Sequence, residues 1–239
     1  MIPRVRSAGI ALLAVLAVAS PCLGADGMAP GRGAIGGQIG GSRFWADADF
    51  SEGARSRFGF SGHFRYVLNQ RLRWQISPGF TWSGYSGDVA APVLDGRYPQ
   101  DVTKRTFLTL LLPVSFEMQL LAHKGKWHYH LGAGPGVYRV SVENRHNVIL
   151  DPVTFRRHVG LFPGVTGEIG VERFVKSMPS TSVEACVTTH WVFSDNPDDF
   201  PIGYNSNLAV TEIRVGANYY FDMSRLAKKK TDQLPPSAR

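Results

Sequence analysis

The hydrophobic and polar residues of this chain alternate with a period of two through most of its length. Between about residues 33 and 221, apolar side chains at every second position are separated by glycine, polar or charged residues. Such a period is typical of β-strands whose two faces meet different surroundings. The pattern predicts eight strands, at residues 34–45, 56–68, 71–85, 103–120, 126–142, 157–174, 181–194 and 208–221.

The segments between the predicted strands alternate between short and long. Residues 69–70, 121–125 and 175–180 are short connections, whereas 46–55, 86–102, 143–156 and 195–207 are longer. Outer-membrane barrels have short periplasmic turns and longer external loops, and an even number of strands returns both chain ends to the short-turn side. We therefore predict an all-β fold, an eight-stranded antiparallel up-and-down transmembrane β-barrel.

Alternation alone does not show which face lies inside, because a secreted lipocalin-type barrel buries its apolar face. An arginine turned toward lipid costs about 2–4 kcal/mol near the midplane, and several would cancel a typical domain stability of about 5–15 kcal/mol. The charged face is therefore expected to line a narrow lumen as a network of opposite charges. Its predicted members are Arg57, Arg65, Arg71, Arg73, Arg214, Glu117, Glu168, Glu172, Glu184 and Glu212.

Aromatic residues on the apolar face gather toward the strand ends. Tryptophan and tyrosine favour the two membrane interfaces, where the ring is buried and its polar edge stays wet. The predicted interface aromatics are Trp45, Trp74, Trp82, Trp127, Tyr129, Trp191, Phe193 and Tyr219.

The ends of the chain predict export and a tail. Residues 1–25 combine a positive start, an apolar stretch and small residues near Gly24, as in a cleaved signal peptide, although Cys22 leaves a lipoprotein as an alternative. Residues 26–221 are expected to form one barrel domain without a disulfide, and residues 222–239 a disordered, basic periplasmic tail. The chain has a net charge of +7, but its basic residues do not form a patch interleaved with aromatic residues, as a nucleic-acid site would require. No nucleic acid is therefore expected as a partner.

Three glycine-rich or aromatic segments resemble the small outer-membrane barrel family that includes the OmpA transmembrane domain and the opacity-type, porin-like proteins. They are Gly36-Gly37-Gln38-Ile39-Gly40-Gly41, Leu131-Gly132-Ala133-Gly134-Pro135-Gly136-Val137-Tyr138, and Val215-Gly216-Ala217-Asn218-Tyr219-Tyr220-Phe221. The resemblance implies that Tyr219 and Phe221 form a closing-strand signal read by the barrel assembly machinery. The chain departs from the family in continuing for 18 residues beyond Phe221.

Candidate chemistry is sparse. His63, His128, His130, His158 and His190 fall on the predicted lumen face, but only three or four converging side chains would make a metal site. We expect no cofactor, no metal and no enzymatic activity. The preferred role for a monomer in contact with outer-membrane lipid and lipopolysaccharide is structural or surface interaction. The alternatives are a narrow or gated channel for small solutes and a lipid-modifying enzyme that would pair His190 with Glu168 or Glu184.

Overall fold

The strands in the structure follow the predicted order closely. The computed structural model describes residues 28–46, 51, 54–85, 107–144, 147–148, 150, 155, 157–195 and 207–223. The long strands are β1 (Arg32–Trp45), β2 (Arg57–Asn69), β3 (Leu72–Tyr85), β4 (Phe107–Lys124), β5 (Trp127–Asn144), β6 (Val159–Val175), β7 (Met178–Val192) and β8 (Leu208–Asp222). The short strand Ala54–Arg55 pairs with β3 just ahead of β2, and Asn147–Val148 folds back on β5. In these ranges no helix is long and apolar enough to span a bilayer.

The eight long strands form one closed antiparallel barrel. Each strand pairs with its neighbours in sequence, and β8 returns to pair with β1 along their whole length, from Arg32 opposite Asp222 to Trp45 opposite Ala209. The predicted fold class is confirmed. The expected signal peptide at residues 1–25 and the predicted tail beyond Met223 lie outside the described residues.

Short turns join β2 to β3, β4 to β5 and β6 to β7 at one end of the barrel, which also carries the start of β1 and the end of β8. We call this the short-turn end and the other the long-loop end. The turn between β4 and β5 is tighter than predicted, since β4 continues to Lys124 and Gly125 adopts a φ of 62° that suits glycine. The first turn is held by the Asn69 side chain, whose Oδ1 accepts a hydrogen bond of 2.8 Å from the backbone N–H of Arg71.

The apolar face of every long strand lies outside. Ile39 and Phe60 are 57% and 50% exposed, whereas Arg65 and Arg73 are 0% exposed. This arrangement is the reverse of a lipocalin-type barrel. A continuous exposed apolar belt of this kind is the surface of a barrel that spans a membrane, because a soluble protein does not leave so large an apolar area in water.

The buried Arg and Glu side chains lie in the middle of the interior, and apolar side chains are added at both ends. At the short-turn end it is closed by an apolar cluster formed by Met28, Ala34, Val67, Leu121 and Tyr220, with Phe174 packed against them. At the long-loop end apolar side chains again line the interior, namely Phe44, Leu111, Tyr138, Val140, Val142, Phe162, Val192, Leu208 and Val210. These two end layers therefore contain apolar side chains that the expectation of a lumen filled by ionic and polar groups did not include.

Candidate functional site: an ionic network inside the barrel

The centre of the barrel contains a double hydrogen bond between Arg65 of β2 and Glu184 of β7. Arg65 Nη1 and Nη2 donate to the two carboxylate oxygens of Glu184 at 2.6 and 3.2 Å, and Arg65 Nε donates to Gln75 Oε1. Gln38 Nε2 of β1 donates to the same carboxylate at 2.7 Å. Both charged side chains are fully buried. The planar fork of the guanidinium matches a carboxylate, which makes this geometry among the strongest that a buried ion pair can adopt.

A second ion pair lies toward the short-turn end. Arg73 Nη1 of β3 lies 2.8 Å from Glu172 Oε2 of β6, and Arg73 Nε donates to Gln119 Oε1 at 2.5 Å. The hydroxyl of Tyr220 accepts a hydrogen bond from Arg73 at 2.9 Å and donates one to Glu172 at 2.8 Å. Ser182 and Asn218 also donate to Glu172. Tyr220 therefore joins the ionic layer to the apolar cluster beneath it.

Glu168 of β6 connects the network to the remaining strands. Its carboxylate receives hydrogen bonds of 3.0 Å from Gln119 of β4 and from Thr188 of β7, and it lies 3.0 Å from His130 Nε2 of β5. Every long strand thus contributes at least one side chain to this interior network, which consists of Gln38, Arg65, Arg73, Gln75, Gln119, His130, Glu168, Glu172, Ser182, Glu184, Thr188, Asn218 and Tyr220. Opposite charges meet with their hydrogen bonds largely satisfied, so the network can stabilise and fill the barrel.

Three more predicted charges lie inside at the edge of this network. Glu117 accepts hydrogen bonds from Ser115 at 3.2 Å and from Gln119 at 3.4 Å. Glu212 pairs with Arg214 on the same strand, and Arg214 also donates to Ser61 at 3.1 Å. All three charged side chains are buried.

Arg57 and Arg71 do not belong to the network, and the prediction is wrong for both. Arg57 begins β2 at the long-loop end, is exposed, and holds its guanidinium 5.3 Å from the centroid of the Trp82 ring. Arg71 is exposed in the turn before β3. Parity along the sequence assigned both to the lumen face, but parity has meaning only within a strand, and these residues lie at or beyond strand ends.

The eight predicted interface aromatics all point outward and form two groups. Trp45, Trp82 and Trp191 lie near the strand ends at the long-loop end, as does Phe193, just beyond β7. The short-turn end carries Trp74, Trp127, Tyr129 and Tyr219. The ring of Trp74 lies within 6.0 Å of Phe64, Tyr66 and Phe116, measured between centroids.

The five histidines of the predicted lumen face are all buried inside the barrel. The contact predicted between His190 and Glu168 or Glu184 is replaced by one with Tyr138, whose hydroxyl lies 3.3 Å from His190 Nδ1. His130 and His63 are instead the histidines nearest to Glu168 and Glu184, at 3.0 and 3.7 Å. Across the described ranges, no three His, Cys, Asp or Glu side chains are placed to hold a metal ion.

The apolar residues that close the interior at both ends were not predicted from the sequence. For Phe44, Val140 and Leu208 a signal was present, because each has the same parity as the polar lumen residues of its own strand. Met28 precedes β1 and had no periodic signal. Its burial depends on a short turn that brings it against Ala34 and Val67.

No known family model and no curated protein sequence matches the chain. Solved structures do match in fold. Neisserial surface protein A is 14% identical with a TM-score of 0.50, over 79% of this chain and 97% of that one. A major outer membrane protein from Thermus thermophilus is 12% identical, with a TM-score of 0.47, over 80% of this chain and 99% of that one. The N-terminal β-barrel domain of Pseudomonas aeruginosa OprF is 10% identical, with a TM-score of 0.45, over 80% and 98%. The closed antiparallel topology and the match to Neisserial surface protein A together give this chain the fold of the small eight-stranded outer-membrane β-barrels.

Proposed function

We propose that the chain is an exported, integral outer-membrane protein whose barrel is closed to solutes and whose role is structural or surface interaction through its long-loop end. The observation that supports this most directly is the filled interior. An eight-stranded barrel is only just wide enough for its own side chains, and here the side chains of all eight strands meet across it.

A closed barrel is favoured over a channel by the order of the layers. A solute would have to pass the apolar side chains at the long-loop end, then the pairs of Arg65 and Arg73, then the cluster around Met28 and Val67. Separating a buried ion pair leaves an uncompensated charge, which costs about 3–5 kcal/mol. This barrier opposes steady conduction.

Planar-bilayer recording of the purified, folded protein tests the proposal. We expect no reproducible stepwise conductance, and no swelling of vesicles that hold the protein in an iso-osmotic sugar solution. Because contaminating porins also give steps, the recording is repeated with the same preparation from cells that do not express the protein, and with protein unfolded before reconstitution. Steps of uniform size that require the folded form would overturn the closed barrel and favour the channel.

Anionic lipopolysaccharide is the partner that we propose at the long-loop end. Arg43, Arg57 and Arg139 are exposed there, and Arg43 lies 4.5 Å above the ring centroid of Trp45. Tryptophan lies at the interface, so the guanidinium beside it lies near the level of phosphate groups, which arginine binds through paired N–H donors. Exposed arginines on two neighbouring strands support contact with lipid phosphates.

Co-purification measures this contact. The double variant Arg43→Gln/Arg57→Gln is expected to retain several-fold less lipopolysaccharide than the wild type after detergent extraction. Arg71→Gln/Lys124→Gln removes the same charge at the opposite end and serves as the control. Equal retention by both double variants would refute a specific role for the long-loop arginines.

We also propose a monomer that is inserted by the barrel assembly machinery through Tyr219 and Phe221. Pairing of β8 with β1 leaves none of the eight long strands with an open edge to which a second copy could add, which supports a single chain. Tyr219 is 54% exposed on the outer face, and the Phe221 ring lies 6.5 Å from that of Phe64, measured between centroids. The closing strand therefore presents an aromatic outer surface.

A further inference from the structure

The short-turn end of the barrel has a strongly basic rim. Among the described residues of this rim the only carboxylate is Asp222, and the cations are Arg32, Arg71, Lys124, Lys126, Arg173 and Lys176. Lys126, Arg173 and Lys176 line a cavity at this end of the barrel, whereas Arg71 and Lys124 do not.

This cavity lies between the turn that joins β4 to β5 and the turn that joins β6 to β7. Its volume is about 480 Å³, within the range of small-molecule sites. Its lining residues are Gly125, Lys126, His128, Arg173, Phe174, Val175, Lys176 and Val183. Three cationic residues thus border one concave surface that apolar residues also line.

The aromatic belt gives the depth of the cavity in the membrane. Trp127 faces outward opposite Arg173 in the pairing of β5 with β6, and the Arg173 guanidinium lies 5.0 Å from the Trp127 ring centroid. A tryptophan at a strand end lies at the membrane interface, so the cations beside it lie at headgroup level. Val183 is 51% exposed on the adjoining outer face and extends the cavity toward the hydrocarbon.

The carboxylate behind the cavity does not neutralise it. Glu172 is the register partner of His128, but it points into the barrel, where its oxygens are bound to Arg73, Ser182, Asn218 and Tyr220. His128 is held between His123, at 2.6 Å between their Nδ1 atoms, and the edge of Phe174. The charges of Lys126, Arg173 and Lys176 therefore remain available to a ligand.

We propose that this cavity binds the headgroup of an anionic phospholipid in the leaflet at the short-turn end. The phosphate would contact Lys126, Arg173 and Lys176, and an acyl chain would lie along Val183. A soluble anion would make no use of the apolar side, and a zwitterionic lipid would bring a positive group against three cations. The inference depends on the membrane-spanning barrel proposed above, with its short turns at a lipid interface.

Native mass spectrometry of the folded protein in detergent, titrated with phosphatidylglycerol or phosphatidylcholine, tests the site. We expect one phosphatidylglycerol to be retained at concentrations about tenfold below those needed for phosphatidylcholine. Removing the two charges in Arg173→Gln/Lys176→Gln is expected to weaken phosphatidylglycerol binding about 25-fold, since each basic residue near an anionic lipid contributes about fivefold. The control Arg71→Gln/Lys124→Gln, of equal charge, should change it less than threefold.

Several results would overturn the site. Equal binding of the two lipids would exclude headgroup selection, and an equal loss in both double variants would mean that the rim acts only as a diffuse field. Displacement of the lipid by an equal concentration of glycerol phosphate would make the ligand a soluble anion. Heat-modifiable gel migration shows separately whether each variant is folded, so a failed barrel is distinguished from a failed site.

Discussion

Individual arginines of the barrel differ sharply in their surroundings, since some are buried in the interior and others are exposed at its rim. Arg73 is completely buried and contacts Glu172, Gln119 and Tyr220, whereas Arg71, two residues earlier, is exposed. Arg71 precedes the first residue of β3, whereas Arg73 lies within the strand on its inner face. A buried charge is stable only when it is paired with an opposite charge, whereas an exposed charge is stabilised by water.

Arg73→Ala is therefore expected to lower the free energy of unfolding by about 3–5 kcal/mol, because Glu172 would be left buried without its cation. Arg71→Ala should change it by less than about 0.5 kcal/mol, as is usual for an exposed side chain. Tryptophan fluorescence during urea unfolding from lipid vesicles measures both. Similar losses in the two variants would show that the interior ion pair is not what stabilises the barrel.

Gly40 and Gly41 give a second residue-scale prediction, since they are adjacent in β1 but face opposite ways. A Cβ at Gly40 would overlap the backbone carbonyl oxygen of Ile213, whereas one at Gly41 would lie 3.8 Å from the nearest atom, the carbonyl oxygen of Arg57. We expect Gly40→Ala to destabilise the barrel by about 1–3 kcal/mol or to prevent folding, and Gly41→Ala to be tolerated. The yield of the heat-modifiable band compares them, and equal yields would contradict the close approach of β1 and β8.

At the element scale, sequence periodicity was sufficient for the number, order and orientation of the strands. It worked best in β2 and β3, where aromatic residues alternate with small or charged ones. It was weakest in β4, where Leu111 is as apolar as the outward residues beside it and yet is fully buried. The partners inside the barrel could not be predicted, because the contact of Arg65 with Glu184 joins residues 119 positions apart and depends on the stagger of the closed sheet.

The closing strand carries a prediction about assembly. Phe221→Ala should reduce the amount of folded protein in the outer membrane several-fold while leaving spontaneous folding into vesicles almost unchanged, since a recognition signal matters only to the machinery that reads it. Phe193→Ala, which also removes an outward aromatic residue, is the control. Membrane fractionation with gel migration of boiled and unboiled samples measures both. A parallel loss in vesicles would assign Phe221 a packing role.

At the scale of the whole molecule, the barrel has an apolar belt outside and three layers inside. The outer belt determines the solvent in which the protein can fold, and the inner layers determine what can cross it. An outward apolar side chain in the middle of a strand therefore stabilises this barrel, because it contacts hydrocarbon. In a soluble barrel the same side chain would face water.

Val114 lies in the middle of β4 and is 52% exposed. Val114→Arg is expected to cost about 2–4 kcal/mol in vesicles, because the charge would enter the hydrocarbon. Leu68→Arg, close to the short-turn end of β2, should cost only about 0–1 kcal/mol. Urea unfolding measures the difference, and equal tolerance of arginine at both positions would be the behaviour of a water-soluble protein.

The participation of all eight strands in the interior network has a consequence for biogenesis. Gln38 near the beginning of the barrel and Asn218 near its end both bind glutamates of the intervening strands. A sheet that entered the bilayer before its first and last strands had joined would expose bare carboxylates and guanidinium groups to hydrocarbon, at a severe energetic cost. Membrane insertion and closure of the barrel are therefore coupled, and the charged inner face of a partly assembled sheet has to be kept away from hydrocarbon until β1 and β8 have paired.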